Sequence, residues 1–381
     1  MSKILEIDGI SYELGENSAK VVSAQKDLKE AVILNRVECE GKFYPVNSIA
    51  KGAFTDCDSL ESISLPFVGS DNTVARETLF GYIFGATQYE KVYEGDRYYG
   101  TDDIRVNNNN NSYVPKSLKT VIITDTVIGK QAFCGCCHIE KIVISNTVKS
   151  IEELAFAKCS SLTSIVIPGS VKYLGGKAFC DCVKLESVKI ENGLETIYDE
   201  AFADCQSLTS IDLPDTIISV ANNAFVRCNN LKYNKYCNCE YLGNSQSPYL
   251  MLVRAKSKKI TSCKISSQTK IICDEAFKEC KGITEVKLPK GVISIGCEAF
   301  ARCSNLTSVI LPKGLLRIDS FAFDYSDKLT DIIVPKSVEY IGSCAFRDCG
   351  TIYLEVNEPH PKWDRSWDYS NYHIVYGYSQ D

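Results

Sequence analysis

Between Leu162 and Leu231 one 23-residue phrase is written three times over, beginning at Leu162, Leu185 and Leu208. Counting the opening leucine as zero, apolar residues recur at positions 0, 3, 5, 9, 12, 16, 17 and 20. The first copy fills them with Leu162, Ile165, Ile167, Val171, Leu174, Ala178, Phe179 and Cys182. A fixed period this long is neither a strand nor a helix repeat, and it means coils stacked into a solenoid. No such coil buries both of its flat faces alone, so stability comes from neighbours.

Within the phrase, Leu-x-x-Ile-x-Leu-Pro alternates apolar and polar from position 3, as a half-buried strand does. Proline at position 6 (Pro66, Pro168, Pro214, Pro289, Pro312 and Pro335) has no N–H for a ladder and ends the strand. The Ala-Phe pair and the cysteine three residues on have helical spacing, which predicts one helical or 3-10 turn on the opposite wall. Burying the phenylalanine at position 17 contributes about 1.5–3 kcal/mol per coil. The expected fold class is an α/β-type repeat solenoid, with one strand and one short helical or 3-10 turn per coil and a cap at each end.

Nineteen cysteines are present, and nine fall at position 20: Cys57, Cys136, Cys159, Cys182, Cys205, Cys228, Cys280, Cys303 and Cys349. One thiol per coil at a core register reads as a ladder of packed small hydrophobes rather than a disulfide framework. Free buried thiols suit a reducing cytoplasm or an anaerobic habitat.

Residues 1–45 are expected to form an N-terminal cap and degenerate first coil, residues 46–356 the solenoid, and residues 357–381 an aromatic C-terminal cap. Two stretches break the register. Residues 67–117, rich in tyrosine and carrying the run Asn107–Asn111, read as a long loop grafted into one coil. Residues 232–259 contain two short strands around a polar turn.

The phrase LTSIVIPGSVKYLGGKAFCDC, with its Leu-x-x-Ile-x-Leu/Ile-Pro strand and Ala-Phe-x-x-Cys element, resembles the BspA-like leucine-rich repeat family over roughly residues 28–356. That resemblance implies a right-handed leucine-rich-repeat superhelix. It also implies a non-enzymatic, adhesin-like protein of the cell surface or secreted, binding host matrix or another surface protein. The family offers no catalytic residues to carry over.

The net charge is −6 with no block of Lys or Arg, which disfavours a nucleic-acid partner. No run approaches the roughly 18 apolar residues of a membrane span. The start, Met1-Ser2-Lys3-Ile4-Leu5-Glu6, turns acidic too early for a signal peptide. A cytoplasmic protein is therefore expected as written, and a surface one if a leader was trimmed. A monomer is expected.

Strand positions 2 and 4 point away from the core. Ser164, Ser187, Lys189, Ser210, Asp212, Lys264, Glu285 and Lys287 are therefore candidates for a partner-binding face, against plain solvent exposure. Tyr89, Tyr93, Tyr98 and Tyr99 in the first insert are candidates too, because tyrosine buries large area at low entropic cost; packing back onto the solenoid is the competing reading. Cys134, Cys137, Cys237 and Cys239 invite a metal-binding or thiol-redox alternative. The spacing is C-x-C rather than the C-x₂₋₄-C of zinc sites, and Cys136 belongs to the core ladder. Cys137 and His138 are sequential neighbours, which seldom face each other as nucleophile and base. No catalytic, cofactor or metal residue is assigned, and a structural spacer remains a third reading.

Overall fold

The computed structural model describes residues 3–70, 80–85, 114–124, 127–369 and 373–379. Two compact units are present. One comprises Met1–Gly193, Glu200–Thr209 and Phe225–Asn230; the other comprises Leu194–Asp199, Ser210–Ala224 and Leu231–Asp381.

In the first unit each regular coil has three walls. The first is a four-residue strand at positions 2–5: Ser164–Ile167 pairs in parallel with Ser187–Ile190, Ser164 opposite Ser187 and Ile167 opposite Ile190. Glu30–Val32, Ser62–Leu65, Thr120–Ile123 and Lys141–Ile144 pair in parallel in the same way. Their inward residues are buried and their outward ones exposed or half-buried. The second wall is a two-residue strand at positions 11 and 12, with Val127–Ile128, Ser150–Ile151 and Tyr173–Leu174 stacked in parallel.

The third wall corrects the expected helical turn. Among the described residues there is no α-helix, and the only 3-10 helices are Phe80–Phe84 and Asn222–Phe225. The Ala-Phe-x-x-Cys element is instead a chain of tight turns. Ala155, Ala157 and Cys159 donate their N–H to the carbonyls of Glu152, Leu154 and Phe156 within the coil. The residues between them, Leu154, Phe156 and Lys158, donate to Gly176, Ala178 and Cys180 of the next coil. Alternate residues thus bond alternately within and between coils, as no helix does. Positions 15 and 19 adopt left-handed backbone: Leu154 (φ 60°) and Lys158 (φ 61°), then Lys177 (φ 57°) and Asp181 (φ 60°). Each such non-glycine residue costs about 1–2 kcal/mol and breaks any helix after three residues. The shared bonds to the next coil offset that cost, so the conformation is a property of the stack.

The first insert contains a piece of ordinary coil. Tyr82 and Ile83 accept the N–H groups of Gly52 and Phe54, and Phe80 donates to Ala132. Residues 80–85 therefore supply the third wall of the coil whose long strand is Ser62–Leu65. At the N-terminal end, Lys3–Ile7, Ile10–Leu14 and Ala19–Ala24 form an antiparallel meander. Ala19–Ala24 then pairs in parallel with Lys42–Ile49.

In the second unit the two-residue wall runs through Ile271–Ile272, Ser294–Ile295, Arg317–Ile318 and Tyr340–Ile341, all parallel. The second insert extends it. Cys239–Leu242 and Met251–Ala255 form the expected antiparallel pair, and Met251–Ala255 pairs in parallel with Ile271–Ile272. A third insert strand, Asn234–Tyr236, was not anticipated. Long strands pair as Glu285–Lys287 with Ser308–Ile310, and as Asp331–Val334 with Thr351–Leu354.

Position 17 makes a file of rings in each unit. Phe133, Phe156, Phe179, Phe202 and Phe225 stack at 5.1–5.6 Å with interplanar angles of 4–18°. Phe80 and Phe84 carry the file from Phe133 to Phe54. In the second unit Phe277, Phe300, Phe323 and Phe346 stack at 5.1–5.6 Å, and Trp367 closes edge-on over Phe346 at 6.5 Å. Each such aromatic pair adds about 0.5–1.5 kcal/mol beyond its buried area.

The position-20 thiols are donors as well as filler. Cys159, Cys182, Cys205 and Cys228 each donate S–H to the carbonyl of the phenylalanine 26 residues earlier, at 3.0–3.3 Å. Cys303 and Cys349 do the same in the second unit. Where position 20 is Ser326, its hydroxyl makes the equivalent bond to Phe300 at 2.9 Å and is fully buried. That serine predicts the behaviour of the ladder. Cys182→Ser should keep the bond and change unfolding free energy by less than about 1 kcal/mol, whereas Cys182→Ala should cost about 1–2 kcal/mol. Urea denaturation compares them, and equal losses would show that the thiol acts by volume alone.

Candidate partner-binding surface

The outward rows of the long strands form a regular surface on each unit. In the first unit the parallel register places Ile122 beside Val143, and Val166 beside Lys189. Val143 is 39% and Val166 48% exposed. The row at position 2 is polar: Thr120 beside Lys141, and Ser164 beside Ser187. In the second unit Glu285 and Lys287 stand opposite Ser308 and Ile310, and Ile310 is 48% exposed. Short polar side chains next to exposed β-branched ones give a smooth, weakly charged sheet without a deep cleft.

Ser164, Ser187 and Lys189 lie outward on strands of the first unit, and Ser210, Asp212, Glu285 and Lys287 lie outward on strands of the second. Lys264 is exposed but belongs to no strand. The second insert diverts the chain there, so the coil opening at Ile260 has no long strand. Tyr89, Tyr93, Tyr98 and Tyr99 lie outside the described residues.

A further surface feature escaped the sequence reading. Glu279, Lys281, Arg302, Ser304 and Tyr325 line an open depression of about 430 Å³. Glu279, Arg302 and Tyr325 hold position 19, whose left-handed backbone turns the side chain outward. The Arg302 guanidinium lies over the Tyr325 ring at 5.3 Å. Three residues 23 apart at a left-handed position would have signalled it, had that backbone been known.

The cysteine constellations resolve differently. Cys134 is buried, and burial raises its thiol to about 11. Cys137 is half-buried beside His138, whose imidazole is lowered by burial and by Lys119 and Lys116. Cys237 is exposed, at the hairpin turn between Asn234–Tyr236 and Cys239–Leu242. Cys239 is buried, with its sulfur 4.0 Å from that of Cys263. Among the described residues one group of three potential metal-ligating side chains converges, Cys180 with Asp181 and Asp204. Arg227 already holds Asp204 through Nε at 2.6 Å and through a second nitrogen. Among the ladder thiols burial pushes Cys303 up to about 12 and Cys280 to about 11, whereas a hydrogen bond from Cys205 lowers Cys228.

A family model for the BspA type leucine rich repeat region, present in 6 copies, matches residues 109–246 and 255–364. The chain belongs to that family of leucine-rich repeat proteins. Among solved structures it is similar to a leucine rich cell surface protein from Faecalibacterium prausnitzii A2-165, at 22% identity and TM-score 0.42, over 100% of this chain and 96% of that one. A leucine-rich repeat protein from Bacteroides ovatus ATCC 8483 is 20% identical with TM-score 0.37, over 98% and 92% of the two chains. The pneumococcal vaccine antigen PcpA is 19% identical with TM-score 0.33, over 99% and 86%. No match was found among curated proteins. Among the described residues no helix is long and apolar enough to cross a membrane.

Proposed function

We propose that this chain is a non-enzymatic binding protein that engages another protein in an adhesin-like manner, through the outward face of its long strands. The observation that carries the reading is the apolar row Ile122, Val143 and Val166, flanked by the outward side chains Thr120, Lys141 and Ser164. Val143 and Val166 are exposed and Ile122 is half-buried, and an apolar strip with a polar rim is the composition of a protein interface. Membership of a leucine-rich repeat family supports a protein-interaction role. Host matrix or a protein of another cell surface is the partner class that fits this chemistry, and the chain is expected to act as a monomer in a right-handed superhelix.

The test is surface plasmon resonance of the full chain against a panel of extracellular-matrix proteins, with Val143→Glu and Val166→Glu as variants. Both residues face solvent, so the melting temperature should stay put. Binding to at least one matrix protein should weaken tenfold or more. Failure of the native chain to bind any member, or full affinity in the double variant, would overturn the reading.

A further inference from the structure

Seven of the nine ladder thiols donate to a main-chain carbonyl, whereas one pair of cysteines faces sulfur to sulfur. Cys239 sits on the insert strand Cys239–Leu242, fully buried, and Cys263 lies half-buried in the irregular stretch after Ile260. Their sulfurs are 4.0 Å apart. We propose that Cys239 and Cys263 are a redox-active dithiol that closes to a disulfide on exposure to a small-molecule disulfide, fastening the second insert to the coil that follows it.

Three features support this. The approach needed to reach a bonded S–S distance is about 2 Å, and Cys263 belongs to no strand, so it can move without breaking a ladder. The Tyr241 hydroxyl is buried with no hydrogen-bond partner of ordinary geometry, and the Cys239 sulfur and the main chain of Ser266 are among the polar groups around it. A thiolate at Cys239 would give that hydroxyl an acceptor. The hydrogen bond from Cys263, followed by the Tyr241 hydroxyl, holds the Cys239 thiol below the usual thiol range against the opposing effect of burial. The pair can therefore share one negative charge at a lower pH than a lone thiol would, which favours exchange chemistry. Ladder thiols such as Cys280 and Cys303, raised by burial, lack it.

The exchange balances with glutathione disulfide as oxidant. Cys263, the more accessible of the two, passes its proton to the Cys239 sulfur across their shared hydrogen bond and attacks, forming a bond to one glutathione sulfur and breaking the glutathione S–S bond. One glutathione thiolate leaves and takes up a proton. Cys239 then gives up that proton, attacks the Cys263 sulfur as thiolate and expels the second glutathione, which is protonated in turn. Two protein thiols lose two electrons and two protons, and one glutathione disulfide leaves as two thiols.

The experiment incubates the reduced full-length chain in glutathione buffers of graded poise, quenches it with acid, alkylates it and maps the peptides by mass spectrometry. The expected result is a cross-linked peptide pair joining Cys239 to Cys263, formed before any ladder cysteine is modified and retained in Cys237→Ser. Cys239→Ser should stop at the mixed disulfide and accumulate a single glutathione on Cys263. Cys263→Ser should take up none at Cys239. Amide exchange over residues 234–242 should slow in the oxidised native chain. A linkage through Cys237 or Cys280 would overturn the proposal. So would continued alkylation of both Cys239 and Cys263 after exposure to fully oxidised glutathione.

Discussion

Replacing Phe179 by alanine is expected to cost about 3–5 kcal/mol, the usual range for emptying a fully buried aromatic site. The Phe179 ring is fully buried between Phe156 at 5.1 Å and Phe202 at 5.3 Å. The change removes two stacked contacts as well as the side chain's own burial. The coils on either side cannot collapse into the gap, because their backbones are held apart by the ladders on all three walls. Phe179→Leu refills most of the volume and should cost well under half as much. Tyr369→Ala, at a site 61% exposed, should lie within about 0.5 kcal/mol of the native chain. Chemical denaturation followed by circular dichroism reads all three. Because repeat arrays couple mainly to nearest neighbours, amide exchange should show the loss concentrated in the coils between Ile139 and Leu208. A cost for Phe179→Ala below about 1.5 kcal/mol would mean that the ring file does not carry the stack.

Stability should also fall steeply in alkali. Burial raises the thiols of Cys134 and Cys280 to about 11 and of Cys303 to about 12 in the folded chain, whereas an unfolded thiol ionises near about 8.5. A group whose folded value is raised stabilises the fold fully below the unfolded value. That contribution is lost as pH climbs towards the folded value, since only the unfolded chain releases the proton. The window therefore opens near pH 9 and closes near pH 12. Within it each such thiol adds a slope of about 1.4 kcal/mol per pH unit against folding. Urea denaturation in a reducing buffer at pH 7, 9 and 10.5 measures the total slope. Cys303→Ser, which copies the natural Ser326 rung, should make it shallower by one thiol's share. An unchanged slope in that variant would show that the thiol already ionises in the folded state.

The long strand, the inward phenylalanine and the inward cysteine were all legible, because alternation and a strict period leave those side chains one direction to point. The third wall was not. Ala178-Phe179 and Cys182 have the same i, i+3 spacing in a helical turn and in chained tight turns. The residues that decide between them, Lys177, Asp181, Glu200 and Asp204, carry no glycine or asparagine to advertise left-handed backbone. Ser326 hid among ordinary polar residues although it completes the thiol ladder. On the surface, alternation placed Ser164, Ser187 and Lys189 outward correctly, but it extended a strand to Lys264 where the insert had removed it. Adjacency drew attention to Cys237 and Cys239. The partner that Cys239 meets, Cys263, is 24 residues on and comes near only because Met251–Ala255 folds back onto the following coil.

A thiol sealed at one register of successive turns makes the chain its own recorder of breathing. A trapping reagent added to the resting protein marks a given cysteine only when the turn around it loosens. The rates at which Cys159, Cys182, Cys205 and Cys228 are marked would chart, turn by turn, where the first unit opens under load, with no label introduced.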